Sequence, residues 1–274
     1  MRLQQNYHIA IPTAFTIDEK LNIQSTLDYI ISLQNIGIKS VLVSGSTGEQ
    51  HSLTFEEKKQ IIEAIEKDVR IRADFEIIFG VSSIRLKEAQ HLAKVIETKT
   101  KISSLMVGFP PYIIPTQKES QYYVESIDDL TSKNIILYNN PKRTGFDLEI
   151  STCKRLFLLS NIIGIKEAGD ENKIPNLLSK LNKSIYIYAG GESNLERKIK
   201  LGFNRLSSII GNIYPIETKN YFNNLLAGKA NTETTEKIQE LCDIYNLPSM
   251  KKIISSKTNI DMGICRSPIG VDFN

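Results

Sequence analysis

The sequence predicts an α/β protein of the (β/α)8 TIM-barrel class with a short C-terminal helical tail, and three observations support that class. Short apolar runs alternate with longer amphipathic stretches, a strand–helix unit recurs roughly every 25 to 30 residues, and eight strand-like runs precede Pro215. The strand-like runs are apolar throughout, as in a parallel sheet covered by helices. No Gly-x-Gly-x-x-Gly follows the first run, which weighs against an open dinucleotide-binding sheet.

In chain order, strands are expected at residues 8–12, 40–44, 76–80, 103–107, 134–138, 162–166, 185–189 and 206–210. Between them, residues 25–33, 54–67, 86–98 and 117–131 repeat apolar side chains at i, i+3, i+4 and i+7 and are expected as helices. Ser25 and Thr54 are good N-caps, and Thr54 has Glu57 at capping-box spacing. After Pro215 the strand signal stops, and residues 216–226, 232–245 and 249–254 read as the last barrel helix followed by a helical tail. The barrel is assigned to residues 1–228 and the extension to 229–274; no Pro-, Gly- or Asn-rich linker divides them, so one structural unit is expected.

With 274 residues, 41% of them hydrophobic and 24% charged, the chain can bury a large core. Its 34 basic residues are scattered among 31 acidic ones for a net charge of +3, and no basic run is long enough to track a phosphate backbone. Nucleic acid is therefore not an expected partner. Cys153, Cys242 and Cys265 form no C-x-x-C pair and suggest neither a disulfide framework nor a zinc site. The N-terminus lacks the apolar stretch of a secretory signal, and no apolar run approaches the roughly 20 residues of a membrane span, so a cytoplasmic protein is expected.

Chemistry in such a barrel gathers at the C-terminal ends of the strands. The sixth strand, Ile162-Ile163-Gly164-Ile165, ends in Lys166. A strand-end lysine commonly snorkels to water; held in an apolar socket it is instead a nucleophile, because desolvation disfavours the ammonium and permits Schiff-base chemistry near neutral pH. The second strand is followed by Gly45-Ser46-Thr47-Gly48-Glu49, a tight turn with two adjacent hydroxyls and no P-loop ending. The fourth delivers Phe109-Pro110-Pro111-Tyr112, and the fifth delivers Tyr138-Asn139-Asn140-Pro141-Lys142-Arg143-Thr144-Gly145. Singly, Tyr138 reads as a packed aromatic and Arg143 as a solvated charge. Together at one barrel mouth, these groups supply an amine nucleophile, hydroxyls that pass protons and a cation for a carboxylate. His8, His51 and His91 show no metal-ligand spacing, Asp28, Glu56, Glu57 and Glu63 fall on helices where solvated charge is the default, and no Ser-His-Asp arrangement can be placed.

Gly45-Ser46-Thr47-Gly48-Glu49, Tyr138-Asn139-x-Pro141-x-Arg143-Thr144-Gly145 and Gly164-Ile165-Lys166-Glu167-Ala168 together resemble the dihydrodipicolinate synthase / N-acetylneuraminate lyase family of Schiff-base aldolases, over residues 8–268. The resemblance implies that Lys166 forms the imine with pyruvate and needs no other cofactor. It further implies that Tyr138 moves protons, that Thr47 and Tyr112 complete a hydroxyl relay with Tyr112 reaching a neighbouring subunit, and that Ser46 and Gly48 hold the pyruvate carboxylate. Gly190 and Ser207 are implied as further substrate-binding positions, and a homodimer or homotetramer as the assembly. Arg143 is typical of the synthases, where it fixes the carboxylate of aspartate semialdehyde, and a planar bidentate donor suits that task.

The chain departs from the family pattern in several places. Ser46 replaces a threonine, Pro111 stands where many synthases have a tyrosine, and Gly80-Val81-Ser82-Ser83-Ile84 lacks an asparagine; the last two changes imply weak or absent feedback inhibition by lysine. Arg205 and Ser207 replace a glycine and an aliphatic residue, implying an altered wall over the pyruvate methyl and an acceptor choice that follows it. The C-terminal extension is expected to be shorter than is usual in the family. The expected reaction condenses pyruvate with L-aspartate 4-semialdehyde, giving 4-hydroxy-tetrahydrodipicolinate on the route to diaminopimelate and lysine. The alternatives are a pyruvate-releasing lyase of a sugar acid or other 2-oxo acid, and a non-catalytic barrel that binds an oxo acid.

Overall fold

The computed structural model describes residues 3–244 and 246–271. Parallel strands β1 (Tyr7–Ala10), β2 (Ser40–Val43), β3 (Glu76–Val81), β4 (Ile102–Gly108), β5 (Asn134–Asn139), β6 (Ile162–Glu167), β7 (Tyr186–Gly190) and β8 (Arg205–Ser208) pair in sequence order. The ring closes where β8 pairs with β1, Ser207 opposite His8. Outside it lie α1 (Ile23–Asn35), α2 (Phe55–Lys67), α3 (Leu86–Glu97), α4 (Gln117–Asp128), α5 (Pro141–Thr144), α6 (Ile150–Leu156), α7 (Lys173–Ser179), α8 (Leu195–Lys200) and α9 (Pro215–Leu226). Helices α10 (Thr232–Ile244) and α11 (Leu247–Thr258) follow. The predicted end of α10 at Tyr245 lies outside the described residues.

Strand alternation divides the buried apolar side chains between two cores. Outward residues such as Ile9, Val41, Ile77, Leu105, Ile135, Ile165 and Ile187 pack beneath the helices. Inward residues Ala10, Leu42, Ile78, Met106, Ile136 and Tyr188 fill the barrel, with Leu3 below them. Burying both faces explains why the strands read as continuous apolar runs.

Two boundaries differ from expectation for a clear local reason. Helix α1 begins before Ser25 because the Asn22 side chain accepts the Ser25 N–H and acts as the cap. The capping box at Thr54 forms as the spacing predicts, and Thr116 forms a second one with Glu119. Strand β8 stops at Ser208 rather than residue 210, since the Ile209 and Ile210 N–H groups donate to the buried Glu192 carboxylate and the chain enters a single 3-10 turn, Ile210–Asn212. No helix among the described residues is long and apolar enough to cross a membrane.

Candidate active site

Lys166 comes off the end of β6 into the barrel mouth, where it is 6% exposed. Burial pushes its ammonium below the ordinary lysine range and Arg143 adds to the effect, while Tyr138 and Glu192 oppose it. Its register partner on β5 is Tyr138, and the amine nitrogen stands 4.7 Å from the centre of that ring. Burial pushes the Tyr138 phenol up, but Lys166, the side chains of Ser46 and Asn140, and Arg143 together outweigh it and leave the phenol below its ordinary value. A lysine drawn toward the free amine and a tyrosine drawn toward the phenolate are thus placed side by side.

Gly190 makes room for this pair. A Cβ built at Gly190 would lie 3.4 Å from Lys166 Cε and 2.9 Å from Ala168 Cβ. On the opposite rim, Ser44 leaves β2 at φ +54°, and its carbonyl comes so near β3 that a Cβ at Gly80 would fall 2.0 Å from the oxygen. The turn formed in this way brings Ser46 Oγ within 3.5 Å of Tyr138 Oη. Thr47 is half-buried on the same turn, and its hydroxyl has no hydrogen-bond partner among the described residues. Gly48 packs against the Ile11 carbonyl, and its own carbonyl accepts from Thr13 Oγ1 at 2.7 Å.

Arg143 is presented on the one-turn helix α5, exposed, with no carboxylate paired to it among the described residues. It lines a cavity of about 590 Å³ together with Asn140, Lys142, Ala168, Gly190 and Ser193. Ser207 faces into the barrel from β8, fully buried, between its register partners Gly190 and His8, and its Oγ has no hydrogen-bond partner among the described residues. Tyr112 does not join these groups within the chain: it is 88% exposed at φ +80°, beside the exposed Ile113 and Ile114.

Arg205 corrects the expectation that it helps to form the wall near Lys166. It begins β8, at the end of the barrel away from the mouth, with its guanidinium 4.0 Å from the centre of the Tyr186 ring. Asn140 is a residue the sequence reading left without a role. Its Nδ2 donates to Tyr138 Oη at 2.6 Å, and its place two residues after the strand-end phenol was the available signal. Asn139 was likewise unassigned; its amide donates to Glu167 and Asp147, both of which Lys173 bridges, so the ends of β5 and β6 are bound together beneath the mouth. Among the described residues, no group of three His, Cys, Asp or Glu side chains could hold a metal ion.

The chain and its fold have counterparts among known proteins. The family model described as the dihydrodipicolinate synthetase family matches residues 4–271. The chain is 29% identical to the 4-hydroxy-tetrahydrodipicolinate synthase of Methanosphaera stadtmanae over 96% of this chain and 91% of that protein. It is 33% identical to the Rickettsia bellii protein of the same name, over 75% and 69%. A dihydrodipicolinate synthase from Acinetobacter baumannii, solved with pyruvate, superposes with a TM-score of 0.85 at 27% identity, covering 96% of this chain and 91% of that one. The sialic acid aldolase of Ruminococcus gnavus shares the fold, with a TM-score of 0.86 at 18% identity over 96% and 90%. The matched family model spans nearly the whole chain and its lysine-bearing barrel mouth, so the protein belongs to the dihydrodipicolinate synthetase family and is an enzyme of the Schiff-base, class I aldolase and lyase type.

Proposed function

We propose that the protein is a 4-hydroxy-tetrahydrodipicolinate synthase that condenses pyruvate with L-aspartate 4-semialdehyde. The observation that carries the reading is the buried, pKa-lowered Lys166 beside Tyr138, with Arg143, unpaired among the described residues, at the rim of the same mouth. The free Lys166 amine attacks the ketone carbon of pyruvate, and water leaves as the imine forms. Tyr138 carries protons in that step and receives the C3 proton as the enamine develops, with the imine nitrogen as electron sink. The enamine C3 then bonds to the aldehyde carbon of the acceptor, whose carboxylate the Arg143 fork holds; the former aldehyde oxygen takes up the proton that Tyr138 returns, and the acceptor's amine displaces Lys166 from the imine carbon as the product cyclises.

Ser46 and Gly48 would receive the pyruvate carboxylate, and Gly190 and Ser207 would line the side on which C3 lies. Thr47 would pass protons with Tyr138. The exposure of Tyr112 supports a role in a neighbouring copy's site, within a homodimer or homotetramer. A second reading, a pyruvate-releasing lyase of a sugar acid, is favoured by one feature: the mouth cavity adds Ser193, Asn194, Glu171 and Lys198 to Arg143, enough polar groups for a hydroxylated chain.

Borohydride reduction with pyruvate, followed by mass spectrometry, tests the imine: an adduct on Lys166 is expected, and its absence would sink both readings. Turnover of aspartate semialdehyde against a panel of 2-oxo-3-deoxy acids decides between them. Under the synthase reading Arg143→Ala harms the former well beyond the shift of the Lys166 pKa that both activities share.

A further inference from the structure

The turn that carries Ser46, Thr47 and Gly48 ends at Glu49, a carboxylate whose cation comes from the C-terminal tail. Glu49 and Lys251 are both fully buried, and their charges meet at 2.6 Å. Lys251 comes from α11, 202 residues along the chain. Its ammonium also donates to the Ile264 carbonyl at 2.7 Å and lies 4.6 Å from the centre of the Phe15 ring. The second Glu49 oxygen accepts the Arg266 backbone N–H at 2.9 Å. The Arg266 side chain then reaches the Ser52 carbonyl at 2.7 Å, pairs with Glu57 and stacks on Phe15 at 4.3 Å. The tail thus holds the segment that follows β2 at Glu49, Ser52 and Glu57, while Arg266 Nε and the Ser267 N–H tie it to Glu19, each at 2.9 Å.

The attachment bears on the site because Glu49 is rigidly joined to Ser46. The Glu49 N–H donates to the Ser46 carbonyl at 3.1 Å, the Gln50 N–H to Gly45 at 3.2 Å, and Ser52 closes on the Glu49 carbonyl at 2.9 Å. Glu49 also stands at φ +53°, a conformation that a residue with a side chain keeps only when its surroundings hold it. A buried carboxylate without its cation is strongly unfavourable, so loss of Lys251 would drive Glu49 toward water and draw Ser46 away from Tyr138. We infer that Glu49 is a positioning residue for the 2-oxo acid site, held in place by Lys251 and Arg266, so that the C-terminal tail sets the affinity of the barrel for its carbonyl donor. The inference rests on the Schiff-base reading given above. It assigns α11 and the segment after it to the working mouth of the barrel.

The test is borohydride trapping of the full-length protein with pyruvate, run as a concentration series on the wild type, Glu49→Gln, Lys251→Met, the double variant and Arg266→Gln. Melting curves on each define the folded temperature range. For the two single variants of the buried pair, the pyruvate concentration giving half-maximal trapping should rise about tenfold, a larger change than that in the saturating rate, because the carboxylate cradle moves and the amine does not. The double variant should be no worse than the poorer single one, as expected of two groups acting through one contact. Arg266→Gln keeps the backbone contact to Glu49, is the mildest change, and should give a smaller rise. Half-saturation within twofold of wild type in the folded variants, with only the melting temperature lowered, would reduce the pair to a structural brace and overturn the inference while leaving the Schiff-base reading intact. If Glu49→Gln and Lys251→Met do not fold, an Arg266→Gln protein with unchanged half-saturation overturns it equally. A wild type that gives no adduct removes both.

Discussion

Lys166 and Tyr138 are register partners across the β5–β6 ladder, and the lysine nitrogen lies 4.7 Å from the centre of the phenol ring. Backbone pairing makes the two residues neighbours, and burial of both side chains keeps them facing each other. Each group therefore meets the other's charge before any substrate arrives, and pH becomes the first lever on the site.

Burial and the nearby Arg143 guanidinium both lower the Lys166 pKa. Imine formation needs the free amine, so its rate should rise with pH through that lowered value and level off below the ordinary lysine range. Removing the cation in Arg143→Gln should move this limb to higher pH, even when pyruvate is the only substrate. Trapping rates measured across pH on both proteins check it; coincident profiles would contradict the electrostatic link.

The same burial has a stability consequence. The unfolded chain holds its lysine proton to a higher pH than the folded one, so the cost of burying Lys166 is full below the folded pKa and fades as pH rises toward the unfolded value. Lys166→Met should accordingly be inactive yet melt higher than wild type at neutral pH, with the gap narrowing as the solution becomes alkaline. A lower melting temperature at neutral pH would show that the amine has found more compensation than its neighbours indicate.

Asn140 donates at 2.6 Å to the Tyr138 oxygen, which favours the phenolate. A hydrogen bond to a charged group contributes about 1.5–3 kcal/mol, so Asn140→Ala should slow the proton-transfer steps roughly tenfold to a hundredfold. The phenol pKa should rise with the loss. Steady-state rates and a spectrophotometric tyrosine titration would test both effects, and a variant slowed without any change in the titration would argue for a different role.

How far the sequence disclosed this site depends on the range of the interaction concerned. Lys166, Tyr138 and Arg143 were legible because each ends or follows an apolar strand, a local signal that the barrel rule converts into a shared location. Asn140 was not, since its contact depends on α5 starting at Pro141 and turning the amide back toward the strand end. Arg205 is tied to the pocket wall only by the family pattern it departs from; as the first residue of β8 it lies at the end of the strand away from the mouth. The end of β8 was misjudged because Glu192, 16 residues before Ser208, takes the N–H groups that would have continued the ladder.

Feedback by lysine provides the last prediction. Pro111 and Ser82-Ser83-Ile84, the positions whose identities imply weak feedback, line one cavity of about 390 Å³ with Lys58 and Glu88. A bound lysine brings two ammonium groups, and each needs a carboxylate or several carbonyls in place of water. Glu88 already accepts from Ser83 Oγ at 2.8 Å and pairs with Arg85 at 3.3 Å, while the Lys58 ammonium occupies the wall at 3.2 Å from Gln50 Oε1. A second cation entering here meets a like charge and a carboxylate already engaged. Lysine at about 1 mM, a concentration that would half-saturate a site contributing only about 4 kcal/mol, should lower the condensation rate less than twofold. Lys58→Ala should make inhibition stronger by removing the opposing charge. Potent inhibition of the wild type in a lysine titration, or a Lys58→Ala protein no more sensitive than wild type, would show that this cavity does not govern the response.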